Sequence, residues 1–237
     1  MRKTLTDMNN SLSNKQIKSK ERVQKHGEVF TPSWVVSDML NMLPDEVWKL
    51  ETKFLEPTCG EGAFLLEILR RKLQKITAKS QEEWEWEAAI ATSSLYGIEL
   101  LEDNAQRCRI NLVQLFNDFY KKQYPDTQDT AFLETIRFFI ERNVIQGNAL
   151  TYRKCTIACG NECNTCEEIV FSEWNPVSIN NYEIIRKDFT YKGIIHTDKM
   201  KKSAVGGLFE EEFLNEEHGL IKEYIPIHFK KIQYAEN

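Results

Sequence analysis

The chain contains the stretch Phe54-Leu-Glu-Pro-Thr-Cys-Gly-Glu-Gly-Ala-Phe-Leu65, in which a short apolar run leads into two glycines and a second apolar run. This pattern predicts a β-strand, a glycine turn and the start of a helix. Gly60 and Gly62 lack a Cβ atom, so the turn can adopt left-handed dihedral angles and approach a ligand closely. Free N–H groups at the start of the helix point toward the same place. The stretch therefore predicts a site for a small polar ligand, although glycine pairs also occur in ordinary turns.

Two further apolar runs end in polar residues and predict neighbouring strands. Residues 94–100 read Ser-Leu-Tyr-Gly-Ile-Glu-Leu and place Glu99 at the end of a second strand. Residues 143–150 read Asn-Val-Ile-Gln-Gly-Asn-Ala-Leu and place Asn148 just after a third strand. A carboxylate at the tip of a second strand is placed to accept hydrogen bonds from ribose hydroxyls. The alternation over residues 51–150 predicts an α/β fold, a parallel sheet with helices on both faces.

Upstream of these strands, the segment Gly27-Glu-Val-Phe-Thr-Pro32 precedes apolar residues at helical spacing, and its proline suits the first turn of a helix. Together, in this order, the segments resemble the amino-terminal half of the adenine-N6 DNA methyltransferases of restriction-modification systems. That group lies within the class I S-adenosylmethionine-dependent methyltransferase superfamily. The resemblance covers about residues 20–150 and implies a Rossmann-like sheet.

The resemblance implies S-adenosylmethionine as the cofactor and a role for individual residues. The Phe-Thr-Pro segment and the glycine loop would surround the methionine part, Glu99 would take the ribose, and Asn148 would contact the adenine ring. The implied cofactor-binding residues are Phe30, Thr31, Pro32, Glu56, Pro57, Cys59, Gly60, Gly62, Glu99 and Asn148. Two of them have a second interpretation: Asn148 as a turn residue at a strand end, and Cys59 as a small residue that packs well.

The resemblance also implies a catalytic Asn/Asp-Pro-Pro-Tyr/Phe segment after a fourth strand, which contacts the target amino group and stacks on the extruded base. The 237 residues contain no such tetrapeptide. The nearest segment is Asn175-Pro-Val-Ser178, which makes Asn175 a catalytic candidate but is also explained as a turn between two hairpin strands.

Two functions are consistent with the absence of this tetrapeptide. The first is methyl transfer to adenine in DNA, through a degenerate segment or together with a second methyltransferase or specificity subunit. The second is a non-catalytic S-adenosylmethionine-binding subunit or regulator.

The region 151–237 changes character and is predicted to be a small Cys-rich appendage containing a β-hairpin. Strand-like runs cover 168–174 and 181–191, separated by Asn175-Pro176. Four thiols lie within twelve residues, and two thiolates two residues apart can bind one zinc ion. Unliganded thiols and an iron–sulfur cluster are the alternatives. The candidate metal ligands are Cys155, Cys159, Cys163 and Cys166.

Composition limits the remaining possibilities. A hydrophobic content of 41% is enough for a sizeable core, and a net charge of −5 argues against a surface that binds nucleic acid throughout. We find no apolar run that spans a membrane and no signal-peptide core at the amino terminus, so we expect a soluble, cytoplasmic protein. Residues 81–91 carry Trp84 and Trp86 among glutamates, which favours a local helix packed on the core.

Residues 1–50 form a predicted helical leader before the cofactor-binding region 51–150. Between residues 15 and 25 the leader carries five basic side chains and one acidic one. Such a run can contact phosphate, but a solvated and partly disordered arm explains it better.

Overall fold

The architecture is taken from a computed structural model, which describes residues 18–26, 28–126, 129–154, 166–195 and 219–235. Within these ranges the helices include α1 (Lys20–His26), α2 (Ser33–Asn41), α3 (Ala63–Gln74), α4 (Gln81–Ser93), α5 (Glu102–Gln123) and α6 (Thr130–Asn143), with 3-10 turns at Asp45–Trp48 and Phe229–Tyr234. Residues 191–195 are also helical. The strands are β1 (Phe54–Glu56), β2 (Leu95–Glu99), β3 (Val144–Gln146), β4 (Val170–Ser178), β5 (Glu183–Thr190), β6 (Leu220–Glu223) and β7 (Ile227–His228).

The first three strands form a parallel sheet in the order β1-β2-β3. Phe54 lies opposite Leu95, and Gly97 lies opposite Val144. Each connection contains helices, as parallel strands require. The predicted alternation of strands and helices is therefore confirmed.

Helices pack on both faces of this sheet, but unequally: α2 to α6 lie on one face, and the other face carries the helical residues 191–195. Side chains from α2 to α6 join one core with Leu95 and Val144, whereas Tyr96 and Ile98 on the other face contact a separate cluster that contains Phe171. Helices α1 to α6 do not contribute to that second cluster, but Tyr191, Ile194 and Ile195 of the helical segment 191–195 do. The reason is topological: both crossovers step in the same direction, and right-handed crossovers in one direction place their helices on one face.

The second sheet is antiparallel, with β4 and β5 forming a hairpin and β6 and β7 pairing with β5. The predicted turn at Asn175-Pro176 is wrong, because both residues lie within β4, opposite Ile185 and Ile184. The chain instead reverses over residues 179–182. Pro176 is tolerated because β4 is an edge strand, and the pairing is irregular just beyond it.

The carboxy-terminal region shares the helical core, whereas the sequence predicted an appendage. The Trp174 ring lies 4.7 Å from that of Phe139 in α6, between ring centroids. Phe229 is fully buried, and its ring lies 5.5 Å from that of Trp86. The helix predicted around Trp84 and Trp86 is confirmed as α4, and both tryptophans are buried in the core.

Candidate cofactor site

The glycine loop follows β1 at the carboxyl end of the parallel sheet. The Cys59 N–H donates to the carbonyl of Ile98 in β2 at 2.9 Å, which ties the loop to the neighbouring strand. The Gly62 N–H then donates to the Cys59 carbonyl at 2.8 Å and closes a tight turn. Gly60 and Gly62 have φ angles of +54° and +96°, a region that favours glycine. The turn predicted from the two glycines is thus present.

The two glycines are required for different reasons. A Cβ atom on Gly62 would lie 2.7 Å from the Sγ atom of Cys108 in α5, so this glycine permits close packing of the loop on the helix. A Cβ atom on Gly60 would meet only the Phe30 ring, at 3.8 and 3.9 Å. Space beside Gly60 is therefore bounded by Phe30, and the loop has the open backbone surface that a small ligand needs.

Glu99 connects the second strand to the glycine loop. Its Oε2 atom accepts a hydrogen bond from the Gly60 N–H, and its Oε1 atom accepts one from the Leu101 N–H, both at 2.9 Å. The residue is 8% exposed. The carboxylate therefore fixes the loop relative to the start of α5, at the strand end where a ribose was predicted.

The residues between β1 and Gly60 have separate local roles. The Oε1 atom of Glu56 accepts hydrogen bonds from the backbone N–H and the hydroxyl of Thr58, which stabilises the turn that contains Pro57. Cys59 is buried, and a hydrogen bond with Cys108 together with burial raises the pKa of its thiol well above its usual range. A neutral, packed thiol matches the interpretation of Cys59 as a small packing residue.

The Phe-Thr-Pro segment lies over the glycine loop through Phe30, as the Gly60 contact shows. Thr31 is half-buried beside it. Pro32 occupies the N-cap position of α2 in an extended conformation, and its carbonyl accepts the first helical hydrogen bond, from Val36 at 3.1 Å. The predicted helix start at this proline is therefore present.

Asn148 follows β3 next to the end of β2. The Gly147 N–H donates to the Glu99 carbonyl at 2.8 Å, which aligns the two strand ends. The Asn148 Oδ1 atom accepts a hydrogen bond from the Leu150 N–H at 2.9 Å. This Asx-type turn agrees with the second interpretation of Asn148, and contact with an adenine ring stays a prediction.

Sequence reasoning missed a network of charged residues beside the loop. Arg22 donates to Asp103 and to Glu28, and Asn104 donates to Glu28 at 2.6 Å. Lys18 forms an ion pair of 2.8 Å with Glu61 of the glycine loop. For Lys18 and Arg22 the predicted solvated arm is wrong, because both are held by acidic partners. Two of these partners, Glu61 and Asp103, lie 43 to 85 positions away and cannot be identified from local composition. The local signal is Glu28, which lies six residues after Arg22 and accepts hydrogen bonds from it.

This network also perturbs ionisation. Hydrogen bonds from Arg22 outweigh burial and, with those from Lys18, lower the pKa of Asp103 to about 2. Burial opposes the charge of Lys18, but its hydrogen bonds with Glu61 and Asp103 raise the pKa of the ammonium. The charges that hold α1 beside the loop are thus present at neutral pH.

A comparison with known protein families shows to which family the chain belongs. A family model described as N-6 DNA Methylase matches residues 5–132, which is more than half of the chain. The chain belongs to the N-6 DNA methylase family. No curated protein and no solved structure gives a significant match. The match includes the Phe-Thr-Pro segment, the glycine loop and Glu99, so membership implies S-adenosylmethionine as cofactor, DNA as substrate and a DNA methyltransferase-like function.

In this member of the N-6 DNA methylase family, Asn175 lies away from the glycine loop. It lines a pocket of about 500 Å³ together with Lys53, Ser94 and Tyr96. Lys53 and Ser94 immediately precede β1 and β2, so this pocket is at the amino end of the parallel strands. The Gly60 loop is at their carboxyl end, and the structure therefore does not bring Asn175 together with the predicted cofactor residues.

The predicted metal site falls mostly outside the described residues, which include Cys166 but not Cys155, Cys159 or Cys163. The Cys166 carbonyl accepts a hydrogen bond from Arg153 at 2.6 Å. In the part of the chain that the structure describes, no group of His, Cys, Asp and Glu side chains could hold a metal ion. Zinc binding by the four cysteines stays a prediction.

Across the residues that the structure describes, no helix has the length and apolar character to cross a membrane.

Proposed function

We propose that this member of the N-6 DNA methylase family binds S-adenosylmethionine and acts in adenine-N6 methylation of DNA in a restriction-modification context, with its catalytic segment supplied by a second polypeptide. The observation that carries the proposal is the glycine loop. Gly60 and Gly62 have positive φ angles at the carboxyl end of a parallel sheet, and the Gly60 N–H donates to the Glu99 carboxylate. Ligands of open α/β sheets bind at this edge.

The residues around the loop fit the cofactor. Phe30, Gly60 and Gly62 would hold its methionine part, Glu99 its ribose, and Asn148 its adenine through the amide oxygen. When bound, the cofactor supplies an activated methyl group. The contribution of the chain is to orient that group and to exclude water from it, and Phe30 provides the apolar cover on the open side of Gly60.

The need for a second polypeptide rests on three observations. The sequence lacks an Asn/Asp-Pro-Pro-Tyr/Phe tetrapeptide, and Asn175 lies at the other end of the sheet. In the described residues β1 pairs only with β2, and Leu55 at its centre is 40% exposed. The backbone N–H and C=O groups of Phe54 and Glu56 point toward β2. Those of Leu55 therefore point to the open edge of the sheet, where a further strand can pair.

The alternative function is a non-catalytic S-adenosylmethionine-binding subunit or regulator. The missing tetrapeptide favours it, because cofactor binding needs only the loop and the strand ends. The two functions make the same prediction for cofactor affinity and differ in methyl transfer.

The test is to express the chain in a host that lacks adenine methylation and to sequence the host DNA for N6-methyladenine. We expect no methylation with the chain alone, and site-specific methylation when genes that neighbour its own are co-expressed. A Gly60→Leu variant in the same co-expression is the control. Methylation by the chain alone would refute the need for a partner, and no methylation in any combination would favour the non-catalytic alternative.

A further inference from the structure

The charged network beside the glycine loop contains two cationic side chains, Arg22 and Lys18, which differ in their partners and in their exposure to solvent. The Arg22 guanidinium is committed to two carboxylates: it donates to Glu28 at 2.5 and 2.7 Å and to Asp103 at 2.9 and 3.1 Å. The Glu28 side chain is only 6% exposed, so this pairing is sheltered from water. Arg22 therefore anchors α1 to the first turn of α5.

Lys18 is placed closer to the loop and is open to solvent. Its Nζ atom lies 2.8 Å from the Oε1 atom of Glu61 and 5.6 Å from the centroid of the Phe30 ring. The Lys18 and Glu61 side chains are 30% and 33% exposed. Two further acceptors, Asp103 at 3.2 Å and Asn104 at 2.5 Å, hold the ammonium from the α5 side. Of these contacts, the pair with Glu61 is the one made with the glycine loop.

We propose that Lys18 binds the α-carboxylate of the amino-acid part of S-adenosylmethionine, in exchange for its contact with Glu61. This inference rests on the proposed function. The carboxylate is the single anionic group of the cofactor, and the opposite end of the loop is acidic because of Glu99. A half-exposed ion pair contributes little free energy, so exchanging Glu61 for the ligand carboxylate costs little.

The geometry also explains why Lys18 rather than Arg22 takes this role. Asp103 and Asn104 keep the Lys18 ammonium in place after Glu61 is released, and the face of the Phe30 ring stabilises its charge. Release of Glu28 or Asp103 from Arg22 would instead detach α1 from α5. Lys18 thereby makes the site selective for a cofactor with an intact amino-acid carboxylate.

The experiment compares S-adenosylmethionine with decarboxylated S-adenosylmethionine, which keeps the sulfonium and the amine and lacks only the carboxylate. Calorimetric titration of the full chain gives both dissociation constants. A charge-assisted contact predicts that the unmodified chain binds the decarboxylated compound roughly tenfold more weakly. Lys18→Met should bind the two compounds equally, Lys18→Arg should restore most of the preference, and Lys25→Met, an exposed position on α1, should leave it unchanged.

The possible results separate this inference from the proposed function. Equal binding of both compounds by the unmodified chain would overturn the role of Lys18, even if Lys18→Met failed to fold. Equal weakening of both compounds in Lys18→Met would overturn it as well, because that is the result of a purely structural role. Binding of neither compound by the unmodified chain would instead refute the proposed function.

Discussion

At the scale of single residues, the site depends on positive φ angles in the glycine loop. In the sequence, the glycines themselves indicate these angles. Gly62 combines a φ of +96° with a Cβ position 2.7 Å from the Cys108 Sγ atom. The two glycines and Glu99 could be predicted from the sequence because strand-end positions follow from short apolar runs. The hydrogen bond from Gly60 to Glu99 could not, because it depends on how two distant strand ends align.

We predict that Gly62→Ala lowers the free energy of unfolding by about 1–3 kcal/mol, because it adds backbone strain and a clash with the Cys108 thiol. Chemical denaturation of the purified chain measures this change. In a Cys108→Ala background the clash is relieved and only the backbone strain remains, so the two substitutions should be non-additive. A Gly62→Ala variant as stable as the unmodified chain would contradict the geometry of the loop.

A second prediction concerns the carboxylate that holds the loop. Glu99→Gln keeps one acceptor oxygen but places an amide NH₂ against a backbone N–H, so it should cost about 2 kcal/mol of stability. Faster hydrogen exchange at the Gly60 or the Leu101 amide would locate the effect. Glu102→Gln, at an exposed position three residues further on, is the control and should change neither quantity.

At the scale of elements, a buried lysine ties α3 to the beginnings of two strands. Lys72 is fully buried, and its Nζ atom donates to the carbonyls of Leu50 and Thr52 at 2.9 and 2.5 Å and to the Ser94 hydroxyl at 2.5 Å. The position of Lys72 in the apolar pattern of α3 predicts that it faces the core. Because lysine is rarely buried, however, the sequence alone favours a position on the surface. The acceptors come from segments that precede β1 and β2.

Burial of Lys72 predicts a dependence of stability on pH. Burial lowers its pKa from 10.5 to about 7. Between these values the unfolded chain carries a proton that the folded chain lacks, so the contribution of Lys72 to stability rises as pH increases from about 7 toward 10. One pKa unit corresponds to about 1.4 kcal/mol, and the rise should therefore amount to a few kcal/mol. Denaturation curves across this range measure it.

The matched variants are Lys72→Met, which removes the ionisable group, and Lys75→Met, an exposed position at the C-cap of the same helix. Only Lys72→Met should flatten the pH dependence. Identical profiles for the unmodified chain and Lys72→Met would show that Lys72 is not the group responsible.

One element-level prediction is wrong and another is met unequally, each for an identifiable reason. The segment Asn175-Pro176, where the sequence predicts a turn, belongs to β4, because an edge strand tolerates proline. The sequence predicts helices on both faces of the parallel sheet, but strand order β1-β2-β3 sends both crossovers to one face, and the other face carries the short helical segment 191–195. Neither strand order nor edge position can be obtained from local periodicity.

At the scale of the whole molecule, the carboxy-terminal residues complete the helical core. Phe229 contacts the rings of Trp86 and Phe132, and the hydroxyl of Thr135 donates to the Phe229 carbonyl at 3.3 Å. The Lys230 ammonium pairs with the buried Glu85 of α4 and with Asp129 at the start of α6. The composition of the region 151–237 differs from the rest of the chain, which is why the sequence favoured an appendage.

We predict that Phe229→Ala destabilises the whole chain by about 3–5 kcal/mol, because it leaves a cavity between α4 and α6. Thermal unfolding followed by both near- and far-ultraviolet circular dichroism should show one transition, shifted to lower temperature. Tyr234→Ala, an exposed position in the same 3-10 turn, should change the midpoint little. A separate early transition with an unchanged main one would show that the carboxy-terminal region folds independently.

The central claim is that the glycine loop, fixed by Glu99 and covered by Phe30, is a binding site for S-adenosylmethionine. The most direct measurement is calorimetric titration of the purified chain with S-adenosylmethionine, beside a Gly60→Leu variant whose added side chain fills the space next to Phe30 and whose folding is checked by circular dichroism. We predict saturable binding by the unmodified chain and its loss in the folded variant. Absence of binding by the folded, unmodified chain, or equal binding by the variant, would contradict the account.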